Sequence, residues 1–392
     1  MLVEQRTANS YYRRSMAEEM SEAGIEWAVA MLNSTAIDEN CKPVSTGGKR
    51  FVDRYLTFLP EDRGLRQNMP FQTPGVFAAD CVRKADGWSC RCLDYDKRTE
   101  LKAVASTDLV PSFAVSLEPR TKGGLLGVVS HGCSSSNIDP CWLPEYSVTL
   151  YQASSMQEGL LALVSAVRSP PAAPLVAKGS ITASGGGLGL HNTDPGSAGL
   201  LVLAGGKLSG LVDERLQSVP GTPPSQAKVQ DDPQLSKTDA DAFRMFMGAK
   251  ASRYVLHPSL RKVTCAGDCA EALQAAYQAG MRIIWVDGPL TISSNRVIGA
   301  VTDPVVIIAD GDLTLSGPFQ VSGMLVSRGN VSWSNSSGMT SLVNGIVLAE
   351  GNVQTDGTMD IVYDTKVVNQ LRNRIGSFVR VPGGWREVGS MD

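Results

Sequence analysis

A short strand pattern recurs along the second half of this 392-residue chain and constrains its fold more than any other feature. Each copy is an apolar run that ends in glycine and continues with alternating apolar and polar residues. The marker glycines Gly288, Gly311, Gly329 and Gly351 are separated by 23, 18 and 22 residues. Nearly even steps of this length are typical of a coiled β-structure in which each turn stacks on the next. We therefore predict β-solenoid-like repeats with a closing segment over 283–392; an antiparallel meander with glycine turns is the alternative.

A separate copy of the pattern surrounds Gly179 and predicts a first group of solenoid-like strands over 171–212. The intervening residues 213–282 combine a proline- and glycine-rich run with alanine-rich stretches, which indicates a loop and helical insertion. Helices are predicted at Ala240–Ala251 and Ala270–Ala279, and a helix that closes the open end of the coil at Lys366–Arg374. The third strands of the coils are predicted at Phe319–Val321, Thr340–Val343 and Met359–Tyr363.

The overall composition excludes two classes of protein. The formal charge is −3, from 36 Lys+Arg and 39 Asp+Glu, and no Lys/Arg run exceeds two residues, so we expect no nucleic-acid partner. No stretch approaches 18 consecutive apolar residues, so the sequence as given contains no membrane span. With 39 Gly, 21 Pro and few aromatic residues, it favours strands and turns over a helical bundle.

Eight cysteines in close local groups indicate disulfides formed in an oxidising compartment. The alternative, a metal site, would require paired C-x-x-C knuckles or neighbouring histidines, and only His131 lies near a cysteine. We predict a cysteine-containing, β-rich head region over 35–170. The first residues are charged and form no export signal, so we also expect that a segment has been removed from the front of the chain.

The spacing of the cysteines suggests particular pairs. Cys133 with Cys141 and Cys265 with Cys269 flank short loops and are predicted to form local clips. A two-residue hairpin turn at Asp86-Gly87 would place two further cysteines opposite each other, and the last two would then pair together. These two predicted pairs are Cys81–Cys92 and Cys41–Cys90.

The first 34 residues contain no proline and predict a long helix. Residues 4–14 have no broad apolar face, so this half is either a frayed start or a helix that projects to meet neighbouring subunits. The residues predicted to pack on the head follow three- and four-residue steps: Met16, Met20, Ala23, Trp27 and Met31. The residues predicted to contact other subunits are Glu4, Arg6, Tyr11, Arg13 and Arg14.

Three segments of this helix, Glu4–Asn9, Arg14–Glu18 and Ser21–Ala28, resemble the region just after the membrane span in PilX-type minor pilins of type IV pili. In that family a polar E-x-R-x-A-N-like stretch leads into an E-A-G/A-x-E-x-A helix. A second block is also similar to large PilX-type proteins: a helix, the Cys265–Cys269 clip, the Ile-Ile-Trp-Val strand, the glycine-marked strands and the closing residues 376–385. Together these resemblances cover about half of the chain.

The resemblance implies an upstream prepilin leader, a cleavage site and about 20 apolar residues, none of which is in this sequence. It implies a precursor anchored in the inner membrane and facing the periplasm, and later an extracellular position at or near the pilus tip. The implied partners are other minor pilins, the major pilin and a large pilus-tip adhesin. Membrane contact would occur only through the missing part of the helix.

The residues give little sign of catalysis. His131, His191 and His257 lie in turn-like contexts, and no nucleophile elbow, phosphate loop or zinc-binding helix motif is present. Aspartates near the marker glycines are interpreted as turn formers. Calcium at Asp310 with Asp312 is the alternative, but the sequence lacks the full spacing of oxygen ligands there. We expect a non-enzymatic α+β protein without cofactor or metal. The alternatives are a secreted β-solenoid protein that binds or cleaves carbohydrate, and a pseudopilin of type II secretion.

Overall fold

The computed structural model describes residues 2–59, 61–68, 78–94, 110–136, 153–339 and 341–388. It combines an N-terminal helix with a strand-rich body, so the fold is α+β. The chain divides into two compact units. Unit 1 consists of Met1–Val164 with Phe378–Asp392, and unit 2 of Ser165–Ser377.

Unit 1 is built from a long helix, α1 (Leu2–Leu32), and an antiparallel sheet. A short second helix, α2 (Phe51–Tyr55), follows α1 in the chain after two short strands. The strands are β1 (Ala36–Ile37), β2 (Lys49–Arg50), β3 (Leu56–Leu59), β4 (Gly64–Gln67), β5 (Ala79–Lys84), β6 (Gly87–Arg91), β7 (Ser112–Pro119), β8 (Leu125–Cys133), β9 (Ser154–Ser165) and the closing strand β28 (Gly376–Val388). The main sheet has the order β28-β9-β8-β7-β5-β6, and β1–β2 and β3–β4 form two small antiparallel pairs.

The hairpin of β5 and β6 corrects two predicted disulfides. Lys84 lies opposite Gly87, so the two-residue turn is one residue earlier than predicted, at 85–86. This register places Cys81 directly opposite Cys90, and these two are bonded. Cys41 is bonded to Cys92, so the predicted pairs Cys81–Cys92 and Cys41–Cys90 were wrong.

Three further cysteines are disulfide-bonded. Cys265 and Cys269 are bonded in unit 2, as their spacing suggested. Cys133 is disulfide-bonded. Its predicted partner, Cys141, lies outside the described residues.

Unit 2 is a stack of parallel strands in two sheets. Its strands are β10 (Leu175–Ala177), β11 (Ile181–Ser184), β12 (Leu188–His191), β13 (Val202–Ala204), β14 (Leu208–Ser209), β15 (Leu216–Gln217), β16 (Lys228–Val229), β17 (Leu260–Lys262), β18 (Ile283–Val286), β19 (Leu290–Ile292), β20 (Val297–Ile298), β21 (Val305–Ala309), β22 (Leu313–Ser316), β23 (Gln320–Ser327), β24 (Val331–Asn335), β25 (Ser341–Ala349), β26 (Val353–Gly357) and β27 (Met359–Val362). Successive copies of the glycine-marked pattern pair in parallel and in register, as in Leu313↔Val331↔Val353.

The order of the strands in space differs from their order in the chain. One sheet has the order β14-β11-β26-β24-β22-β19, so the early strand β11 lies beside the late strand β26. The register Ile181↔Val353 joins the two groups. The early strands β11 and β14 therefore form one end of this sheet, and the chain then continues at the other end with β19. The strands β22, β24 and β26 follow in order until β26 pairs with β11. Parallel strands also continue through β15 and β16, inside the region predicted as an insertion.

The marker glycines stack in a column because neighbouring turns approach closely there. Gly351 N donates to Gly329 O at 2.8 Å, and Gly179 N donates to Gly351 O at 2.9 Å. A Cβ on Gly351 would lie 2.5 Å from Asn330 Oδ1 and 2.8 Å from Gly329 O. The residues after these glycines form an Asx column, defined by Asp312, Asn330 and Asn352. Each side chain there accepts a backbone N–H from the next turn, at 2.7–2.9 Å.

In β18, β21 and the later parts of β23 and β25, both faces of the larger sheet are buried, which explains the continuous apolar runs in these strands. One face joins the interior of the stack, and the other is covered by helices α3 (Ala242–Met247), α4 (Ala251–Tyr254) and α6 (Thr365–Asn373). The predicted closing helix corresponds to α6, but it packs on the outer face beside β23 and β25. Instead, helix α5 (Ala270–Gln278) contributes Ala270, Leu273 and Ala276 to the interior, beside β20.

Candidate functional site

The second half of α1 lies on the sheet of unit 1 and fixes the position of the whole helix. Its buried positions recur at three- and four-residue steps, as expected for one helix face. They are Ala17, Met20, Ser21, Gly24, Ile25, Ala28 and Leu32. Most are small, so the helix backbone approaches strands β7 and β8 closely.

Two glycines make this close approach possible. A Cβ on Gly132 of β8 would lie 2.1 Å from Ala17 O and 2.4 Å from Ser21 N, both backbone atoms of the helix. A Cβ on Gly24 would lie 2.1 Å from Ser130 Oγ. Any side chain at Gly132 must therefore push the helix away from the sheet.

The residues predicted to pack on the head lie around this contact. Met20 is buried, while Met16, Ala23, Trp27 and Met31 are half-buried. The Trp27 ring lies edge-on to Phe51 at 5.6 Å between ring centroids. The predicted face was centred on the large residues Met16, Met20, Trp27 and Met31, whereas the buried ridge consists mostly of small residues. The spacing Ala17, Ser21, Gly24, Ala28 was the signal that could have identified it.

The first half of α1 is exposed. The residues predicted to contact other subunits are Glu4, Arg6, Tyr11 and Arg14, which are exposed, and Arg13, which is half-buried. Tyr11 is 70% exposed and the adjacent Tyr12 59%, which is high for aromatic side chains. This half presents ionic groups and two phenol rings on a continuous helix.

Charge is divided between the two halves of α1. The first 14 residues carry three arginines and one glutamate, whereas residues 15–32 carry four glutamates and no Lys or Arg. Arg14 Nε contacts Glu18 Oε1 at 3.1 Å, and Arg380 Nη2 contacts Glu26 Oε1 at 2.6 Å. Within the described part of the chain, Glu19 and Glu22 form no ion pair. The exposed side of the helix is thus basic near its start and acidic further along.

The three histidines occupy unrelated environments. His131 is buried on β8, and burial lowers its pKa to about 4. His257 Nδ1 contacts Ser377 Oγ. His191 Nε2 lies 3.0 Å from Asp360 Oδ1.

Aspartates along unit 2, including Asp310 and Asp312, have local partners. Asp310 pairs with Arg328, and Asp312 accepts from Asn330 N at 2.7 Å. Asp303 pairs with Arg282 at 2.6 Å, and Asp364 caps α6 by accepting from Lys366 N at 2.8 Å. Among the described residues, no group of three or more His, Cys, Asp or Glu side chains is arranged to hold a metal ion.

Comparison with known proteins yields a weak structural likeness. No protein-family model matches the chain, and no curated protein matches it. Among solved structures, the competence-associated pilin ComZ from Thermus thermophilus is similar at 10% sequence identity, over 96% of this chain and 98% of that chain, with a TM-score of 0.25. A TM-score this low does not establish a common fold. Within the described residues, no helix is long and apolar enough to cross a membrane.

Proposed function

We propose that this chain is a structural subunit of a type IV pilus, a PilX-type minor pilin incorporated at or near the tip, and that it has no enzymatic activity. The observation that supports this most is the division of α1. Residues 17–32 are seated on the antiparallel sheet of unit 1, and the residues before them are exposed on the same continuous helix. The segments that resemble PilX-type pilins, between Glu4 and Ala28, run through both halves of this helix.

The division of charge along α1 supports packing between helices of neighbouring subunits. When parallel helices are staggered, the arginines of one can face the glutamates of the next. Exposed ion pairs contribute only about 0–1 kcal/mol each, so they select register and partner more than they add affinity. Tyr11 and Tyr12 supply apolar area next to these charges.

The structure of unit 1 suits a subunit that must keep its helix in one orientation. The close contact at Gly132 and the bridge between Cys41 and Cys92 restrain the head on which α1 lies. We also propose that unit 2 is a β-solenoid, which the parallel in-register pairing and the stacked glycines support. It would present a large β surface to partners.

We further propose a life cycle that follows from this role. The precursor would be held in the inner membrane by an apolar segment upstream of α1 and would face the periplasm. After assembly the protein would be extracellular, in contact with other minor pilins, the major pilin and a large tip adhesin, and would support assembly and adhesin presentation.

The test is co-purification of the oxidised chain with the minor pilins and tip adhesin of the same organism. The double variant Tyr11→Asp/Tyr12→Asp should lose at least about 90% of the captured partner, because two exposed aromatic contacts are removed. Leu256→Asp is the matched control, since Leu256 is 69% exposed but lies in unit 2. Capture of no pilus protein by the native chain, or equal loss with Leu256→Asp, would contradict the proposal.

A further inference from the structure

A groove of about 530 Å³ crosses four neighbouring strands of unit 2, in the order β25, β27, β12 and β15. Its floor consists of side chains that point away from the interior of the stack. In register, Asp360 lies beside Gly189, and Val362 lies beside His191, which lies beside Gln217. The alternating residues Leu188, Leu190, Met359 and Ile361 face the interior.

Gly189 creates the space in which the polar groups of this groove meet. A Cβ at this position would lie 1.9 Å from Asp360 Oδ1, 2.9 Å from His191 Nε2 and 3.1 Å from Arg215 Nη2. Glycine inside a strand weakens it and often marks a close approach of a ligand or of another group. Here the missing side chain allows a carboxylate, an imidazole and a guanidinium to converge.

The convergent groups are held in a fixed arrangement. Asp360 Oδ1 accepts from Arg215 Nη2 at 2.9 Å and lies 3.0 Å from His191 Nε2. His191 Nδ1 lies 3.2 Å from Gln217 Oε1. Because a carboxylate only accepts, it orients His191 with Nε2 as the protonated nitrogen. Nδ1 is then an acceptor, and Gln217 donates to it through its amide nitrogen when the side-chain amide is turned over.

Several polar atoms at the groove retain unused hydrogen-bonding capacity. Within the ranges that the structure describes, Asp360 Oδ2 and the hydroxyls of Thr193 and Tyr363 have no hydrogen-bond partner. Burial and the nearby charge of Asp194 raise the pKa of Tyr363 to about 12, so its hydroxyl remains able to donate. Donors and acceptors are therefore mixed along one groove.

The charges of the groove favour an uncharged ligand. Among the described residues that line it, the single cation, Arg215, is paired with the single carboxylate, Asp360. An anionic ligand would meet Asp360 and the field of Asp194, and a cationic ligand would meet Arg215. Leu342 and Val362 add apolar surface beside the polar groups, the usual mixture in a binding pocket.

We propose that this groove binds a neutral oligosaccharide. Its hydroxyls would bond to the planar side chains of Asp360, Arg215 and Gln217, and its C–H faces would contact Leu342 and Val362. Three strand-to-strand steps of about 4.8 Å give a length of about 14 Å, which suits more than one sugar ring. Hydrolysis is not part of the proposal, because glycoside cleavage requires two carboxyl groups about 5–10 Å apart and the lining residues that the structure describes contribute one. The inference does not depend on the proposed role in a pilus.

The test is titration of the full oxidised chain with maltotriose, cellotriose and N-acetyllactosamine, and with 3′-sialyllactose as an acidic comparison. Isothermal calorimetry and saturation-transfer NMR would measure binding. At least one neutral probe should bind, and Asp360→Asn should weaken that binding by about tenfold or more, since hydrogen bonds to a charged acceptor are lost. Gly189→Ala should abolish it by filling the space between the three polar groups.

The control is Asp310→Asn, which removes a carboxylate paired with an arginine elsewhere in unit 2 and should leave the affinity unchanged. Thermal melts would show whether each variant is folded; if Gly189→Ala is not, Asp360→Asn still decides. Three results would overturn the proposal: no binding of any neutral probe at millimolar concentration, unchanged affinity in Asp360→Asn, or preference for the sialylated probe. Failure here would leave pilus-protein capture intact, so the two proposals fail separately.

Discussion

Replacing Gly132 by alanine should loosen the contact between α1 and its sheet more than any other single methyl group added there. The new Cβ would lie 2.1 Å from Ala17 O, and real Cβ atoms essentially never come closer than 3.0 Å, so the helix must move by about 0.9 Å (3.0 − 2.1). A gap of 0.5–1 Å removes about a quarter to a half of the dispersion energy of each affected contact. With tilting of the helix as partial relief, we expect unit 1 to lose about 1–3 kcal/mol of unfolding free energy.

The matched control is Gly159→Ala, on strand β9 under the same helix. Its Cβ would lie 3.1 Å from Ile25 Cγ2, the end of a side chain that can adjust, so the cost should stay below about 1 kcal/mol. Urea unfolding of the oxidised protein, followed by tryptophan fluorescence, measures both. A loss of 2 kcal/mol corresponds to a melting temperature lower by about 4–8 °C for a unit of this size. Equal stability of Gly132→Ala and the native chain would refute this description of the helix contact.

Three further predictions concern other parts of the chain. Asn330→Ala should lower the stability of unit 2 by about 1 kcal/mol in thermal melts, because it removes the acceptor for a backbone N–H of the next turn. Ser332→Ala, at an exposed position, is the control and should leave the melts unchanged. Burial lowers the pKa of His131 to about 4, below its value of 6.5 in the unfolded chain. The free energy of unfolding should therefore be highest above pH 6.5 and should fall by up to about 3 kcal/mol as the pH is lowered towards 4. Urea midpoints at several pH values should show this slope, and His131→Gln should remove it. The Cys41–Cys92 bridge joins residues 51 positions apart. The double variant Cys41→Ser/Cys92→Ser should lower the free energy of unfolding in denaturant by about 4 kcal/mol. A loss below about 1 kcal/mol would contradict the assigned pairing.

Local patterns in the sequence identified many of the elements correctly. The apolar runs before the marker glycines are strands, such as β18, β21 and the second part of β23, because both of their faces are buried. The proline-free start is one helix, and the short spacing of Cys265 and Cys269 predicted their bond. These features depend on residues that are near one another in the chain, so composition and periodicity can specify them.

The tertiary structure decided what depends on residues far apart in the chain. Periodicity identifies a turn of the stack but not its neighbour, so the pairing of β11 with β26 and the meeting of His191 with Asp360, 169 residues apart, had no local signal. A one-residue change in a hairpin turn altered two disulfides, because the register of a hairpin follows its turn. The position of α1 on its sheet likewise depends on the close approach of the helix backbone to Gly132. Only the assembled sheet shows which glycine faces the helix.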